Sequence, residues 1–73
     1  MDKMSKDTAI KIGAKIRRIR EGKGVTQADV ATKADLSTNY YARIERGDAT
    51  ATVDALQKIA QALKVKSSDI FPF

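Results

Sequence analysis

The chain has 73 residues, of which 14 are Lys or Arg and 9 are Asp or Glu, and it contains neither His nor Cys. The absence of these two residue types excludes disulfides, zinc fingers, thiol nucleophiles and catalytic triads built on His. We expect one domain with a small core, stabilised by tight helix packing or by a second copy of the chain. The net charge of +5 suits a polyanionic partner.

Signals for export or membrane insertion are missing from the sequence. No apolar run approaches the length of a membrane span, and the lysines near the N-terminus are not followed by the apolar stretch of a signal peptide. We therefore expect a cytoplasmic protein. The residue pattern also predicts no metal and no cofactor.

The first predicted helix is marked by an apolar face. Three isoleucines recur at the i, i+4 and i+7 spacing of one helix face, namely Ile12, Ile16 and Ile19. Thr8 is a suitable N-cap, and Gly22 with Gly24 ends the segment. The pattern predicts a helix over about residues 8–22, preceded by a flexible segment at 1–7.

Two short helices follow, joined by a tight turn. Thr26 and Asp29 resemble a capping box at the start of the second helix. Asp35 tolerates the left-handed backbone that a tight turn needs. Ser37 can cap the third helix, which Gly47 ends.

A fourth helix is predicted after the loop 48–51. Thr52 is its N-cap, and the apolar positions keep the helical period: Val53, Leu56, Ile59, Ala60 and Leu63. Residues 67–70 are expected to form one last helical turn. The sequence therefore predicts an all-α fold, a compact five-helix bundle around a central helix-turn-helix unit at about residues 27–46.

The excess positive charge lies in the N-terminal third of the chain. Residues 1–24 hold 8 basic and 3 acidic residues, whereas residues 25–47 and 48–73 each hold 3 of either sign. A solvated basic face on helix 1 accounts for this distribution more simply than a dedicated phosphate-binding stripe.

The order of these motifs resembles one known family. Residues 26–31 read Thr-Gln-Ala-Asp-Val-Ala, residues 36–37 read Leu-Ser, and residues 41–47 read Tyr-Ala-Arg-Ile-Glu-Arg-Gly. This pattern resembles the Xre-type helix-turn-helix of phage repressors and Cro, and the resemblance extends over about residues 9–71. It implies a lambda-repressor-like DNA-binding domain that regulates transcription, with double-stranded DNA as its partner.

The third helix has one polar face. Wound at about 100° per residue, one arc of about 140° holds Thr38, Asn39, Ala42, Arg43 and Arg46. Asn can pair with adenine, Arg with guanine, and Thr can contact the methyl group of thymine. An ordinary solvated face is the alternative. Taken with the resemblance, the arc predicts that bases are read by Thr38, Asn39, Ala42 and Arg43.

The resemblance also implies contacts with the phosphate backbone. A Gln at the position of Gln27 touches phosphate and braces the third helix in this family, although a plain surface residue is the alternative. Two of the helices begin with a threonine cap, where free N–H groups favour anions. Loop 48–52 lacks the basic residues that are common in relatives. Its phosphate contacts must therefore come from backbone N–H groups and hydroxyls, and the negative charge of Asp48 would oppose them. The predicted phosphate contacts are Thr26, Gln27, Ser37, Arg46, Thr50 and Thr52.

The resemblance further implies an internal ion pair between Arg20 and Glu45. The position of Glu45 is consistent with this role, because it lies outside the polar arc of the third helix. A carboxylate that faced the phosphates would repel them. Two residues depart from the family pattern. Asp35 stands where relatives usually have Gly, and Tyr41 replaces a small branched aliphatic, which requires more space between helices 2 and 3.

A second copy of the chain is expected as a partner. A single module contacts too few base pairs to be specific in a genome, so we predict a symmetric homodimer. The apolar C-terminus is the candidate interface, through Ile70, Phe71 and Phe73. The alternative is that Ile70 and Phe71 complete the core of the monomer.

Several biological roles stay open at this point. A stand-alone repressor, a controller of a restriction–modification cassette and an antitoxin all fit, the last with a toxin as partner, and RNA polymerase is a further candidate. We expect no ligand-binding or self-cleavage domain. The near-neutral charge of residues 25–73 also fits a helical protein-interaction module. An enzyme is not predicted, because carboxylates are the only acid–base pair available and they form no recognisable motif.

Overall fold

The computed structural model describes residues 5–71, which form four α-helices and one short 3₁₀ turn and contain no strand. The helices are α1 (Lys6–Gly22), α2 (Gln27–Lys33), α3 (Thr38–Arg46) and α4 (Val53–Leu63), and the turn is Ser67–Asp69. The predicted all-α fold is therefore confirmed. The predicted fifth helix is wrong in type, because the residues there complete only one 3₁₀ turn.

The start of α1 also differs from the prediction. Ser5 is the N-cap, and its hydroxyl accepts the N–H of Thr8 at 3.1 Å. Thr8, the predicted cap, lies inside the first turn, because two hydroxyl residues three positions apart both suit the role and the earlier one is used. Of the segment predicted to be flexible, residues 1–4 lie outside the described residues and residues 5–7 belong to the cap and first turn of α1.

The remaining helix ends follow the sequence signals closely. Thr26 caps α2 in a complete capping box with Asp29, and Thr52 caps α4 by accepting the N–H of Ala55 at 3.0 Å. Gly47 ends α3 in the left-handed conformation, with φ of 73°. These local caps satisfy N–H groups and carbonyls that have no partner within a helix.

One core holds the four helices together. Each helix contributes apolar side chains that are almost fully buried, among them Ile12, Ile16, Val30, Ile44, Leu56, Ile59 and Leu63. Helix α1 packs on α3, while α2 packs on both α3 and α4. Because α2 and α3 are held from opposite sides, the orientation of the helix-turn-helix unit is set by the whole core.

A glycine allows α1 and α3 to approach closely. A Cβ atom on Gly13 would lie 2.2 Å from the carbonyl oxygen of Ile44 and 2.6 Å from that of Glu45. No real side chain fits this space, so the crossing of α1 over the end of α3 depends on the missing Cβ.

Candidate nucleic-acid interface

The outer face of α3 carries the side chains that the sequence assigns to base reading. Thr38, Asn39 and Arg43 are exposed, and Ala42 between them is half-buried. The opposite face is buried through Tyr41, Ile44 and Glu45. The amphipathic pattern of the helix thus separates a core-facing side from a polar side with a small residue near its middle.

The turn between α2 and α3 sets the angle at which this polar face is presented. Asp35 has a φ of 59°, which a non-glycine residue adopts rarely and which Asp tolerates better than most. The N–H of Leu36 donates to the carbonyl of Ala31 at 2.9 Å, and Ser37 caps α3 by accepting the N–H of Tyr40 at 3.1 Å. Asp35 therefore adopts the left-handed conformation at the position where the resemblance predicts Gly.

The start of α2 lies exposed beside α3. The hydroxyl of Thr26 accepts the N–H of Asp29 at 3.0 Å, and the Asp29 carboxylate accepts the N–H of Thr26 at 3.1 Å. The pKa of Asp29 is lowered because Thr26 stabilises the ionised carboxylate. The N–H of Thr26 has the larger effect and the Thr26 side chain the smaller one. The Thr26 hydroxyl is thus engaged by Asp29 both as the acceptor of its N–H and as a neighbour of its carboxylate, and Thr26 stays exposed at the start of α2.

Three side chains from different helices meet behind the reading face. Arg20 donates to Glu45 through Nε at 2.6 Å and through Nη2 at 3.2 Å, and its Nη1 donates to the Val25 carbonyl at 3.0 Å. Gln27 donates through Nε2 to the same carboxylate at 2.9 Å. The carboxylate of Glu45 on α3 is thus held by α1 and α2 together. Gln27 makes the bracing contact that the resemblance implied.

Burial and hydrogen bonding compete at Glu45. Burial opposes its ionised form, but the hydrogen bonds, led by that of Arg20, outweigh this effect and keep the pKa of the carboxyl below its ordinary value. The hydroxyl of Tyr41 lies against the same pair but makes no hydrogen bond of ordinary geometry with any residue among 5–71. Burial first, and the neighbouring carboxylate second, raise the pKa of this phenol.

The loop between α3 and α4, residues 48–52, lies beside α3 and is held by side chains of that helix. The hydroxyl of Tyr40 donates to the carbonyl of Thr50 at 3.2 Å, and Nη2 of Arg43 donates to the carbonyl of Asp48 at 2.9 Å. Thr50 and Thr52, two of the predicted phosphate contacts, are exposed on this loop. Neither bond is predicted from the sequence, because the spacing of a tyrosine or an arginine does not signal a contact with a loop carbonyl.

Basic side chains are sparse on this surface. Arg46, at the last position of α3, is exposed and its Nη2 lies 4.0 Å from Oδ2 of Asp48. Lys6, Arg43 and Thr50 line one open cleft beside the loop. The surface thus combines two arginines and one lysine with hydroxyl, amide and backbone groups, which are the groups that contact phosphates and base edges.

The residues predicted for the dimer interface do not all lie on the surface. Ile70 is fully buried in the core of the monomer, and Phe71 is half-buried against that core. Ile70 therefore has no surface to offer a second copy, and the alternative that it completes the monomer core is the correct one. Phe73 lies outside the described residues.

Comparison with known proteins agrees with this geometry. The family model for the helix-turn-helix, HTH_3, matches residues 16–70. The chain belongs to the HTH_3 helix-turn-helix family. This is the Xre-type unit that the sequence resembled, so the resemblance is confirmed.

The relatives in this family include named regulators. Over 96% of its length the chain is 34% identical to the control protein C.BamHI of Bacillus amyloliquefaciens, of which the match spans 88%. It is also 37% identical to the immunity repressor protein of Bacillus phage phi105 over 81% of the chain and 41% of that protein. The fold matches the restriction–modification controller protein C.AhdI of Aeromonas hydrophila, with a TM-score of 0.84, 28% identity and coverage of 86% and 96% of the two chains.

Two absences apply to the described part of the chain. No helix within residues 5–71 is long and apolar enough to cross a membrane. No group of three or more carboxylates in that range is arranged to hold a metal ion.

Proposed function

We propose that the protein is a sequence-specific regulator of transcription that reads double-stranded DNA through the major groove with α3. The observation that carries this proposal is the exposed polar face of α3 beside the exposed start of α2, in a chain that belongs to a helix-turn-helix family. Its relatives are named as control proteins and a repressor, which supports a non-enzymatic regulator.

The proposed reading step uses hydrogen bonds to base edges. Helix α3 has nine residues, so it is about 13 Å long at about 1.5 Å per residue, and it fits a major groove about 12 Å wide. Asn39 pairs with adenine and Arg43 with guanine, while Thr38 contacts a thymine methyl group. The short side chain of Ala42 lets the backbone approach the bases.

The proposed phosphate contacts come from the segments that flank this helix and from its last residue. The start of α2 supplies Thr26 and Gln27, the cap of α3 supplies Ser37, and the loop supplies Thr50 and Thr52. Arg46 adds a charge at the end of α3. Because only a few cations are involved, binding depends on salt less steeply than for a strongly basic DNA-binding surface.

The proposed assembly is a homodimer on a palindromic site. Two-fold pairing places two copies of α3 about 34 Å apart, which is one turn of DNA. With Ile70 buried, the proposed contact is reduced to Phe71 and Phe73. It is tested by mass measurement in solution and on a two-half-site duplex. A variant with Phe71→Ser and without residues 72 and 73 should lose the dimer, and an unchanged mass would overturn this interface.

Among the regulatory roles, control of a restriction–modification cassette has the best support. The similarity to C.BamHI covers nearly the whole chain, and C.AhdI is similar in fold over almost its full length. The antitoxin role needs a protein partner, for which no contact surface has been assigned.

Selection from random duplex DNA tests the proposed function. We expect enrichment of an inverted repeat whose half-sites are centred about 10 base pairs apart, bound far more tightly than its scrambled version. Failure to enrich any sequence, together with equal binding of selected and scrambled duplexes, would favour the protein-interaction module instead.

A further inference from the structure

The loop 48–52 is anchored firmly at both ends but lightly in its middle. At its start, the N–H of Asp48 donates to the carbonyl of Arg43 at 2.8 Å. Near its end, Ala51 is buried and Thr52 caps α4. Two side-chain hydrogen bonds from α3 reach the loop. That of Arg43 ends on Asp48 at the start, and that of Tyr40 ends on Thr50 in the middle.

Both of these bonds end on carbonyl oxygens, so neither of them occupies an N–H group of the loop. The N–H groups of Ala49, Thr50 and Ala51 donate to no acceptor within residues 5–71. A phosphate oxygen needs donors of this kind, and the loop has no Lys or Arg that would substitute for them. The positions of these groups relative to α3 therefore decide whether the loop meets a phosphate while α3 lies in the groove.

We infer that Tyr40 is a positioning residue that fixes the loop 48–52 against α3. The helix that reads the bases and the loop that contacts the phosphate then dock on DNA as one unit. The inference rests on the proposed function. Tyr40 acts through its hydroxyl on the Thr50 carbonyl and needs no contact with a base. Arg43 shares the task through one of its N–H groups, and its other donors stay available for guanine.

Removal of the Tyr40 hydroxyl isolates this role. Tyr40→Phe deletes one oxygen and keeps the ring, whereas an Arg43 substitution would disturb base reading and loop at once. The adjacent Tyr41→Phe is the matched control, because it deletes the same atom on the buried face of α3, beside Arg20 and Glu45. Both variants should keep the helical circular dichroism spectrum of the wild type.

The first measurement needs no DNA. Backbone ¹⁵N relaxation of the free protein should show larger motions at residues 49–51 in Tyr40→Phe than in the wild type and in Tyr41→Phe. Unchanged relaxation of these amides would overturn the inference, whatever the protein binds.

The second measurement uses the selected duplex and its scrambled version. Tyr40→Phe should weaken binding about three- to tenfold on both duplexes alike, as expected for one lost hydrogen bond. The slope of log affinity against log salt should keep its wild-type value, because the loop offers uncharged N–H groups and the substitution removes no cation. Unchanged affinity, or a loss confined to one base pair, would overturn the positioning role. A wild type that distinguishes no duplex would instead contradict the proposed function, and the role on DNA would fall with it.

Discussion

Arg20 and Glu45 are 25 positions apart in sequence, yet their side chains form a bidentate ion pair. Its shortest distance is 2.6 Å, between Nε of Arg20 and Oε2 of Glu45. The Glu45 side chain is 2% exposed and the Arg20 side chain 13% exposed. The pair joins α1 to the last turn of α3, and Gln27 ties α2 to the same carboxylate. The side chain of Glu45 therefore connects α1 to both helices of the helix-turn-helix unit.

Removal of Glu45 should destabilise the fold strongly. Glu45→Ala leaves the mostly buried guanidinium of Arg20 without its partner, which we expect to cost about 3–5 kcal/mol in the free energy of unfolding. Asp54→Ala is the matched control, because Asp54 pairs with Lys58 on the surface at 3.3 Å, away from Arg20 and Glu45. It should cost at most about 1 kcal/mol. Urea unfolding of both variants checks the difference, and equal losses would contradict the account.

The same carboxylate should make stability sensitive to acid. The pKa of Glu45 is lower in the folded protein than its ordinary value of 4.5, so its contribution is complete above about pH 4.5 and disappears as the pH falls through the folded value. Glu45→Gln lacks this titration. Its melting temperature should be lower at neutral pH and should fall less between pH 5 and pH 3 than that of the wild type. Parallel curves would show that Glu45 does not contribute to acid unfolding.

Gly13 should tolerate no side chain. In Gly13→Ala the new Cβ atom would meet two backbone carbonyl oxygens of α3, neither of which can move without opening the helix crossing. We expect a loss of about 1–3 kcal/mol or more. Gly22→Ala, at the end of the same helix, meets open space and should be neutral or stabilising by up to about 1 kcal/mol. Thermal unfolding compares the two, and a Gly13→Ala variant as stable as Gly22→Ala would refute the close approach.

Tyr41 should be replaceable by Phe without loss. Its hydroxyl is buried and lacks an ordinary hydrogen bond, so deleting the oxygen relieves the cost of burying a polar group. We expect the free energy of unfolding of Tyr41→Phe to equal or exceed that of the wild type by up to about 1 kcal/mol. A loss above 1 kcal/mol would mean that the hydroxyl supports the Arg20–Glu45 pair.

The sequence predicted well the features that depend on neighbouring residues. The caps at Thr26, Ser37 and Thr52 and the left-handed turns at Asp35 and Gly47 follow from local backbone chemistry, and all are present. The start of α1 was misplaced because Ser5 and Thr8 satisfy the same local rule. The last turn, Ser67–Asp69, is 3₁₀ and not α-helical. So short a polar segment has no apolar period by which the sequence could distinguish the two.

Contacts between distant segments were harder to predict. The resemblance implied the Arg20–Glu45 pair, but nothing in the sequence placed the Tyr40 hydroxyl on the Thr50 carbonyl. An apolar residue near the C-terminus suits a dimer contact and a monomer core equally well, and only the packing of the fold assigns Ile70 to the core. Helical periodicity identifies which face of a helix is polar, but not which of its side chains contacts a loop.

The central claim is that the polar face of α3 reads bases, and the base preference of Asn39→Ala tests it most directly. The selected duplex is substituted one base pair at a time, and the affinity of each substituted duplex is measured for wild type and variant. We expect the variant to lose about 1–3 kcal/mol of discrimination at one symmetry-related position in each half-site and to keep its preference elsewhere. A variant with the same preference as the wild type at every position would contradict base reading by α3.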